Sequence, residues 1–297
     1  MPLTSLTTLL ADARADGYAI GYFEAWDAWS FEAVVEAAEA EHAPTIIGAG
    51  CLLGHQPWFD AGGIELLGAI GREAARSARV PVALLLNETH TLEQSVRGLD
   101  AGFNAVMMHT GKLGYAEAVA AVEELVVAAH ARGAAVEAEL GNLPDATHGT
   151  TVDRADFTDP EEAASFVAAT GVDCLAVSVG NVHLLEHATA VIDLDRLRAV
   201  HERVDVPLAI HGGTSFPEDA VPAAIAAGVA KFNVGTAVRR AFLRGLTESV
   251  AGLRPESDVH AVIGSHTPAD VLEAGKTAMV EVVRNLIRQY GSVGRAA

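Results

Sequence analysis

The feature that most constrains the fold is a regular alternation of short apolar runs with longer helical stretches along almost the whole chain. The apolar runs predict strands at residues 17–25, 44–50, 80–88, 105–110, 134–141, 174–180, 207–213 and 231–237. Strands that are apolar on both faces and separated by helices form a parallel sheet covered by those helices. Eight such units fit a closed (β/α)8 barrel, the TIM barrel, better than an open sheet.

The length of the chain fits one such barrel. We predict a single domain over residues 1–297, with a C-terminal helical extension at about 264–297. A helix is predicted between Asp159–Pro160, a good N-cap and first-turn pair, and Gly171, where it stops. The long irregular connection at 142–158 is either a cover for an active site or a surface loop.

Charge and composition limit the partners. The formal net charge is −19, which argues against nucleic acid and anionic membranes because both would repel the chain. We find no apolar run of about 18 residues and no charged-then-apolar leader, so we expect a cytoplasmic protein. Cys51 and Cys174 lie in apolar segments and are expected to be buried, reduced thiols.

Several chemically active residues stand where the predicted strands end. In a barrel these strand ends face the active site. The residues concerned are Glu24, Gly50, Asn87, Glu88, His109, Glu139, His183, His211 and Asn233. Histidines and carboxylates at one rim predict a divalent metal site, because buried carboxylates need a cation, a proton or hydrogen bonds. For His109, Glu88 and Glu139, direct ligation and hydrogen bonding to a ligand are both open.

Two glycine-containing turns follow the last strands. The run PLAIHGGTS, residues 207–215, ends a strand in His211 and continues with two glycines and two hydroxyl residues. Glycines let backbone N–H groups approach an anion closely. The run KFNVGT, residues 231–236, contains Asn233 and ends in Thr236.

These stretches resemble the class II, metal-dependent fructose-bisphosphate and tagatose-bisphosphate aldolase family. The resemblance runs from about Leu9 to Arg295 and is strongest in VEAELG, FTDPEEAASFVAATGVDCLAVSVGNVH, VPLAIHGGTS, KFNVGTA and MVEVVRNLIRQYGS. It implies a barrel with zinc on histidines at strand ends, and cleavage of a carbon–carbon bond through an enediolate. It also implies a homodimer or homotetramer.

The resemblance assigns roles residue by residue. His183 and His211 match two metal ligands. The residues that we predict to bind substrate and its phosphate are Gly180, Gly212, Gly213, Thr214, Ser215, Asn233, Gly235 and Thr236.

The third predicted strand departs from the family pattern. The family has His-x-Asp-His there, whereas this chain has LLLNETH, so that Asn87 replaces the acid/base Asp and Glu88 replaces a ligand His. On the next strand His109 stands where the family has Asp. We therefore predict a metal site of Glu88, His183 and His211, with His109 or Glu139 as further ligands. Zn²⁺ is favoured, and Mn²⁺, Co²⁺ or Fe²⁺ would also suit this set.

Catalysis is assigned to the remaining polar groups. Asn87 can orient a hydroxyl but, as an amide, cannot exchange a proton near neutral pH. Proton transfer is assigned to Glu24, Glu88 or Asp145 of the 142–158 connection.

The predicted function is that of a metal-dependent aldolase-like lyase. It would cleave a small phosphorylated ketose or related sugar acid reversibly into dihydroxyacetone phosphate and an aldehyde. The main alternative is a metal-dependent sugar-phosphate isomerase or epimerase using the same enediolate chemistry. A non-catalytic sugar-phosphate binder and a Schiff-base mechanism at Lys231 are further alternatives.

Overall fold

The computed structural model of the chain describes residues 3–141, 157–182 and 190–296. Its strands are β1 (Ile20–Glu24), β2 (Thr45–Gly50), β3 (Val82–Thr89), β4 (Ala105–Met108), β5 (Ala135–Leu140), β6 (Cys174–Val177), β7 (Leu208–Ile210) and β8 (Val229–Val234). The helices before β5 are α1 (Leu6–Asp16), α2 (Ala28–Ala40), α3 (Gln56–Trp58), α4 (Ile64–Ser77), α5 (Leu92–Ala101) and α6 (Tyr115–His130). Those after it are α7 (Pro160–Thr170), α8 (Leu194–His201), α9 (Val221–Ala226), α10 (Thr236–Ala251), α11 (Val259–Val262) and α12 (Val271–Gln289).

The eight strands form one closed parallel barrel in chain order, which confirms the predicted (β/α)8 fold. β1 pairs with β8, with Tyr22 opposite Asn233, and this pairing closes the ring. Each strand overlaps its predicted position, and all eight are shorter than predicted. β7 spans three residues because Gly212, with φ of 69°, turns the backbone away soon after Ile210.

The side chains of the strands alternate between two buried layers. Ile20, Tyr22, Ile46 and Leu85 belong to a cluster that fills the barrel, whereas residues such as Phe23 and Ile47 pack under the helices. Both faces of each strand are thus buried, which is why the strands are continuous apolar runs. Leu6, Leu9, Leu10 and Ala13 of α1 join the inner cluster.

The chain after β8 returns to the barrel through α12. Tyr290, at the end of α12, stacks on Phe232 of β8 with ring centroids 4.6 Å apart. Arg284 and Arg288 of α12 donate hydrogen bonds to Glu41, which follows α2. The last long helix is therefore held against the N-terminal part of the chain by an aromatic stack and an ion-pair cluster.

Two further sequence predictions concern single residues and membrane segments. Cys51 and Cys174 are buried free thiols, as expected. Among the described helices, none is long and apolar enough to cross a membrane.

Candidate active site

A bulge at the end of β3 sets the position of Glu88. The pairing of β3 with β4 changes register between Leu86 and Thr89. Within this irregularity Glu88 has φ of 55°, in the left-handed region that non-glycine residues seldom adopt. Such strain persists only where the surrounding structure imposes it, and it concentrates at functional sites. The Asn87 side-chain amide donates a hydrogen bond of 3.0 Å to Glu88 Oε2.

His211, directly after β7, is the point on which several acidic groups converge. Its side chain is 1% exposed, and its Nε2 lies 2.9 Å from Glu137 Oε1 on β5. Its other ring nitrogen, Nδ1, lies 3.5 Å from Glu139 Oε2 and 3.8 Å from Glu88 Oε1. Glu137 and Glu139 are two residues apart on β5, so their side chains lie on the same side of the strand. Each carboxylate lies next to a different nitrogen of the His211 ring.

Glu137 also belongs to a polar network inside the barrel. Lys231 Nζ on β8 lies 2.8 Å from Glu137 Oε2, and both side chains are fully buried. Lys231 also donates to the Asn233 side-chain oxygen. The Asn233 amide nitrogen contacts Glu137 Oε1 at 3.3 Å and His211 Nε2 at 2.8 Å. Lys231 is therefore engaged by Glu137 and Asn233, and the Schiff-base alternative would require it to leave this network.

The network changes the charge states of its members. Burial would raise the pKa of Glu137, but Lys231 and the hydrogen bond with His211 outweigh it and hold that pKa at about 2. Burial would lower the pKa of His211, but hydrogen bonds with Glu137 and Glu88 and the charge of Glu139 raise it to about 10. These partners therefore favour the protonated, charged form of His211.

The donor atoms around His211 Nδ1 suit a divalent cation. They combine an imidazole nitrogen with the carboxylates of Glu88 and Glu139, a mixture that zinc and similar ions accept. Asn87 Oδ1 nearby is buried and accepts no hydrogen bond from the described residues. Across residues 3–141, 157–182 and 190–296, however, no group of three or more His, Cys, Asp or Glu side chains is arranged so that it could hold a metal ion. His183 and Asp145, predicted as ligand and proton carrier, lie outside those ranges.

His109, one residue beyond β4, also lies at the mouth of the barrel, the rim formed by the C-terminal ends of the strands. Its backbone N–H donates to Thr89 O at 2.8 Å. Burial lowers the pKa of its imidazole, and the charges of Glu88 and Glu139 oppose this effect. With His90 and Lys112 it lines a cavity of about 320 Å³. The structure thus places His109 within the electrostatic influence of both carboxylates.

Glu24, at the end of β1, forms a two-bond ion pair with Arg239 of α10. Arg239 donates to Glu24 Oε1 at 2.8 Å and to Glu24 Oε2 at 3.1 Å. The Glu24 carboxylate lies beside two glycines, Gly50 and Gly235. A methyl group on Gly50 would lie 2.4 Å from Glu24 Oε1, and one on Gly235 would lie 2.4 Å from Oε2.

The two predicted phosphate turns adjoin each other. After Gly212, residues Gly213–Ser215 form a single 3-10 turn. Thr214 Oγ1 accepts a hydrogen bond from the Ala237 backbone N–H in the first turn of α10. The turn after β7 is thereby joined to the N-terminus of α10, where anions are favoured.

Close backbone packing explains two of the predicted glycines. Gly212 has φ of 69°, and a methyl group there would lie 2.3 Å from Val182 O. Gly180 has φ of 104°, and a methyl group there would lie 2.1 Å from Val191 O. Any larger residue would push these loops apart, so both glycines shape the rim irrespective of substrate.

Sequence reasoning named most of these residues individually but missed three partnerships. From the sequence, no role is predicted for Glu137 or Arg239, and Lys231 is named only as a possible Schiff-base lysine. The available signal was the two-residue spacing in VEAEL and KFN, which places both side chains of each pair on one side of a strand.

The fold and the mouth together define a (β/α)8-barrel enzyme with an imidazole and carboxylates at the ends of its strands. More specifically, the chain belongs to the family described as Fructose-bisphosphate aldolase class-II, which matches residues 4–295. The predicted family is therefore confirmed, and so is the prediction of a carbon–carbon lyase.

Solved structures agree with this assignment. The YdjI aldolase from Escherichia coli K12 is 26% identical with a TM-score of 0.82, and the match covers 99% of this chain and 100% of that one. A putative fructose-1,6-biphosphate aldolase from Coccidioides immitis is 28% identical with a TM-score of 0.81, over 98% and 97% of the two chains. Fructose-bisphosphate aldolase from Campylobacter jejuni, at 20% identity and a TM-score of 0.79 over 99% and 97%, shares the fold.

Proposed function

We propose that this protein cleaves a phosphorylated ketose or related sugar acid by a metal-dependent retro-aldol reaction, giving dihydroxyacetone phosphate and an aldehyde. The observation that carries the proposal is the convergence of Glu88 and Glu139 on His211 Nδ1, at 3.8 and 3.5 Å. Membership of a family of class II aldolases supports the reaction type.

We propose that Glu88, His183 and His211 hold the cation, with Glu139 or His109 as a further ligand. Zn²⁺ is the favoured ion, and Mn²⁺, Co²⁺ or Fe²⁺ would fit the same donors. When bound, such an ion supplies Lewis acidity for a ketose carbonyl. Glu137 would receive the Nε2–H of His211 and keep Nδ1 directed at the cation.

The substrate hydroxyl would be oriented by Asn87 and its proton moved by a carboxylate. The Asn87 N–H group is used by Glu88, which leaves the buried Oδ1 to accept a hydrogen bond from a substrate hydroxyl. An amide cannot take up that proton near neutral pH, whereas the carboxylate of Glu24 or Glu88 can. Asp145 remains a proposed proton carrier in the connection between β5 and α7.

The phosphate of the substrate would lie against the joined turns after β7 and β8. Their proposed binding residues are Gly180, Gly212, Gly213, Thr214, Ser215, Asn233, Gly235 and Thr236. The link between Thr214 and the first turn of α10 brings two sets of backbone N–H groups together. Backbone groups of this kind bind an anion even in a protein of net charge −19.

The test is a coupled assay for dihydroxyacetone phosphate on a panel of ketose phosphates and sugar-acid phosphates. We expect release with added Zn²⁺ or Mn²⁺ and loss of release with EDTA. Release that persists in EDTA would contradict the proposal. Formation of an isomeric sugar without a three-carbon fragment would instead identify an isomerase or epimerase. This alternative is favoured by Asn87, which stands where the family has its acid/base Asp.

We propose in addition that residues 1–297 form one domain and that the protein works in the cytoplasm as a homodimer or homotetramer. Size-exclusion chromatography with light scattering tests the oligomeric state, and a monomer at micromolar concentration would contradict it.

A further inference from the structure

At the end of β1, the rim of the barrel carries a fixed charge pair, Glu24 with Arg239. Ile20, Tyr22 and Glu24 alternate along β1 toward the inside, and the first two belong to the inner cluster of the barrel. Glu24 is therefore the uppermost inward residue of β1. Its side chain is 17% exposed, so the carboxylate faces the mouth while remaining mostly covered.

Glycines on the neighbouring strands leave room for this carboxylate. β1 lies between β2, which ends in Gly50, and β8, which Gly235 directly follows. One carboxylate oxygen occupies the position of a side chain on Gly50, and the other occupies the position of a side chain on Gly235. The carboxylate thus covers the inner edge of three consecutive strand ends.

Arg239 holds the carboxylate in this place. Its guanidinium makes two hydrogen bonds with Glu24, and it also lies over the Trp26 ring, 4.6 Å from the centroid. Trp26 in turn packs edge-on against Phe242 of α10, with centroids 5.5 Å apart. A guanidinium fixed on two sides gives the pair a defined geometry.

Glu24 already neutralises the positive charge of Arg239. An anionic group of the substrate would therefore meet no net positive charge here. This side of the mouth is therefore unfavourable for a second negative group on the substrate.

We propose that the Glu24–Arg239 pair is a specificity element that accepts an uncharged, hydroxylated end of the aldehyde half and discriminates against a phosphorylated end. A carboxylate accepts hydrogen bonds and a guanidinium donates them, and a sugar hydroxyl can do both. This inference rests on the proposed function, and it narrows the substrate class to ketose monophosphates whose far end carries hydroxyl groups.

The experiment uses the full chain loaded with Zn²⁺ in the direction of synthesis. Dihydroxyacetone phosphate is combined with D-glyceraldehyde or D-glyceraldehyde 3-phosphate, which differ by the phosphate alone. We expect kcat/KM to favour the unphosphorylated aldehyde by about tenfold or more. Glu24→Gln keeps the shape and removes the charge, so it should shift this ratio by about tenfold toward the phosphorylated aldehyde, mainly through its KM.

A matched control is Glu65→Gln. Glu65 forms the same two-bond pair with Arg97 on the outer helices α4 and α5, with both bonds at 2.8 Å. This variant should leave the ratio unchanged. A wild-type preference for the phosphorylated aldehyde, or an unchanged ratio in Glu24→Gln, would overturn the specificity role. An equal fall in kcat with both aldehydes would also overturn it, in favour of proton transfer by Glu24.

A separate measurement shows whether the proposed function itself fails. Deuterium exchange into dihydroxyacetone phosphate, without any aldehyde, reports the donor half of the reaction, and its absence together with absence of turnover would refute that function. The role of Glu24 is then decided by calorimetry with D-glyceraldehyde 3-phosphate as the probe, on protein saturated with dihydroxyacetone phosphate, which would occupy the turns after β7 and β8. Glu24→Gln should bind it about tenfold more tightly than the wild type, and equal affinity would overturn the inference.

Discussion

Glu88 combines a left-handed backbone conformation with a carboxylate directed at His211. A residue with a Cβ atom in this conformation costs about 1–2 kcal/mol relative to the right-handed region. The bulge between Leu86 and Thr89 imposes it, and the carboxylate reaches 3.8 Å from His211 Nδ1 as a result. The backbone at Glu88 is thus less stable than it would be in the right-handed region, and this conformation places the carboxylate next to His211.

The strain can be measured with two substitutions at this position. We expect Glu88→Gly to be more stable than Glu88→Ala by about 1 kcal/mol, because glycine adopts a positive φ without steric cost. The order should reverse for Glu123→Gly and Glu123→Ala on the exposed face of α6, where alanine is the better helix former by about 1 kcal/mol. Urea denaturation provides the comparison, and the same order at both positions would refute the strain.

Glu137 offers a second prediction at the residue scale. Because it accepts from His211 Nε2, we expect Glu137→Gln to weaken Zn²⁺ binding by about 10–100-fold while leaving the proposed ligands in place. Competition with a chromophoric chelator measures the affinity. Cobalt substitution supplies a second readout, since a displaced imidazole changes the visible spectrum. Wild-type affinity together with an unchanged cobalt spectrum would show that Glu137 does not orient His211.

At the scale of elements, helix α12 is attached through one carboxylate. Glu41 is 7% exposed and accepts hydrogen bonds from both Arg284 and Arg288. Burial raises the pKa of Glu41, but the hydrogen bonds with the two arginines outweigh this and leave it below its usual value. The charged form of Glu41 is therefore favoured by folding.

This arrangement has a defined pH dependence. Since the folded pKa is below the ordinary value of 4.5, the stabilisation is complete above that pH and is lost as the pH falls through the folded pKa. We expect Glu41→Gln to cost about 1–3 kcal/mol at pH 7, and the difference from wild type to shrink below pH 4.5. Glu281→Gln, which removes an exposed partner of Arg284, should cost about 0–1 kcal/mol. Denaturation at several pH values decides between a shrinking and a constant difference.

At the scale of the whole molecule, the proposed cation would join strands that are far apart in sequence. Of its proposed donors, Glu88, Glu139 and His211 lie at the ends of β3, β5 and β7, so binding would connect separate parts of the ring. A ligand that binds only the folded state stabilises it by about 2.7 kcal/mol at a concentration 100 times Kd. For a chain of this length that corresponds to about 4 °C in Tm.

We therefore expect Zn²⁺ to raise the Tm of EDTA-treated protein by about 4 °C at that concentration, and EDTA to reverse the change. Glu88→Gln should reduce the shift, because the carboxylate nearest the bulge loses its charge. Calorimetric scans with and without metal make the comparison. A shift of equal size in the variant would exclude Glu88 from the site.

The sequence by itself determined the barrel, the order of its strands and most residues of its rim. Burial on both faces makes each strand a continuous apolar run, and residues just after such runs must lie at the mouth. Its local motifs also indicated the family. These properties are encoded within a few neighbouring residues, so no knowledge of distant contacts was needed.

Only the tertiary structure decided which charged groups meet. Glu24 and Arg239 are 215 positions apart, and Glu137 reaches Lys231 and His211 across separate strands. The bulge that turns Glu88 toward His211 is likewise a property of the β3–β4 pairing. Strand register and closure of the ring fix these distances. No local pattern specifies them, because the energy of a buried charge depends on partners that the sequence places far away.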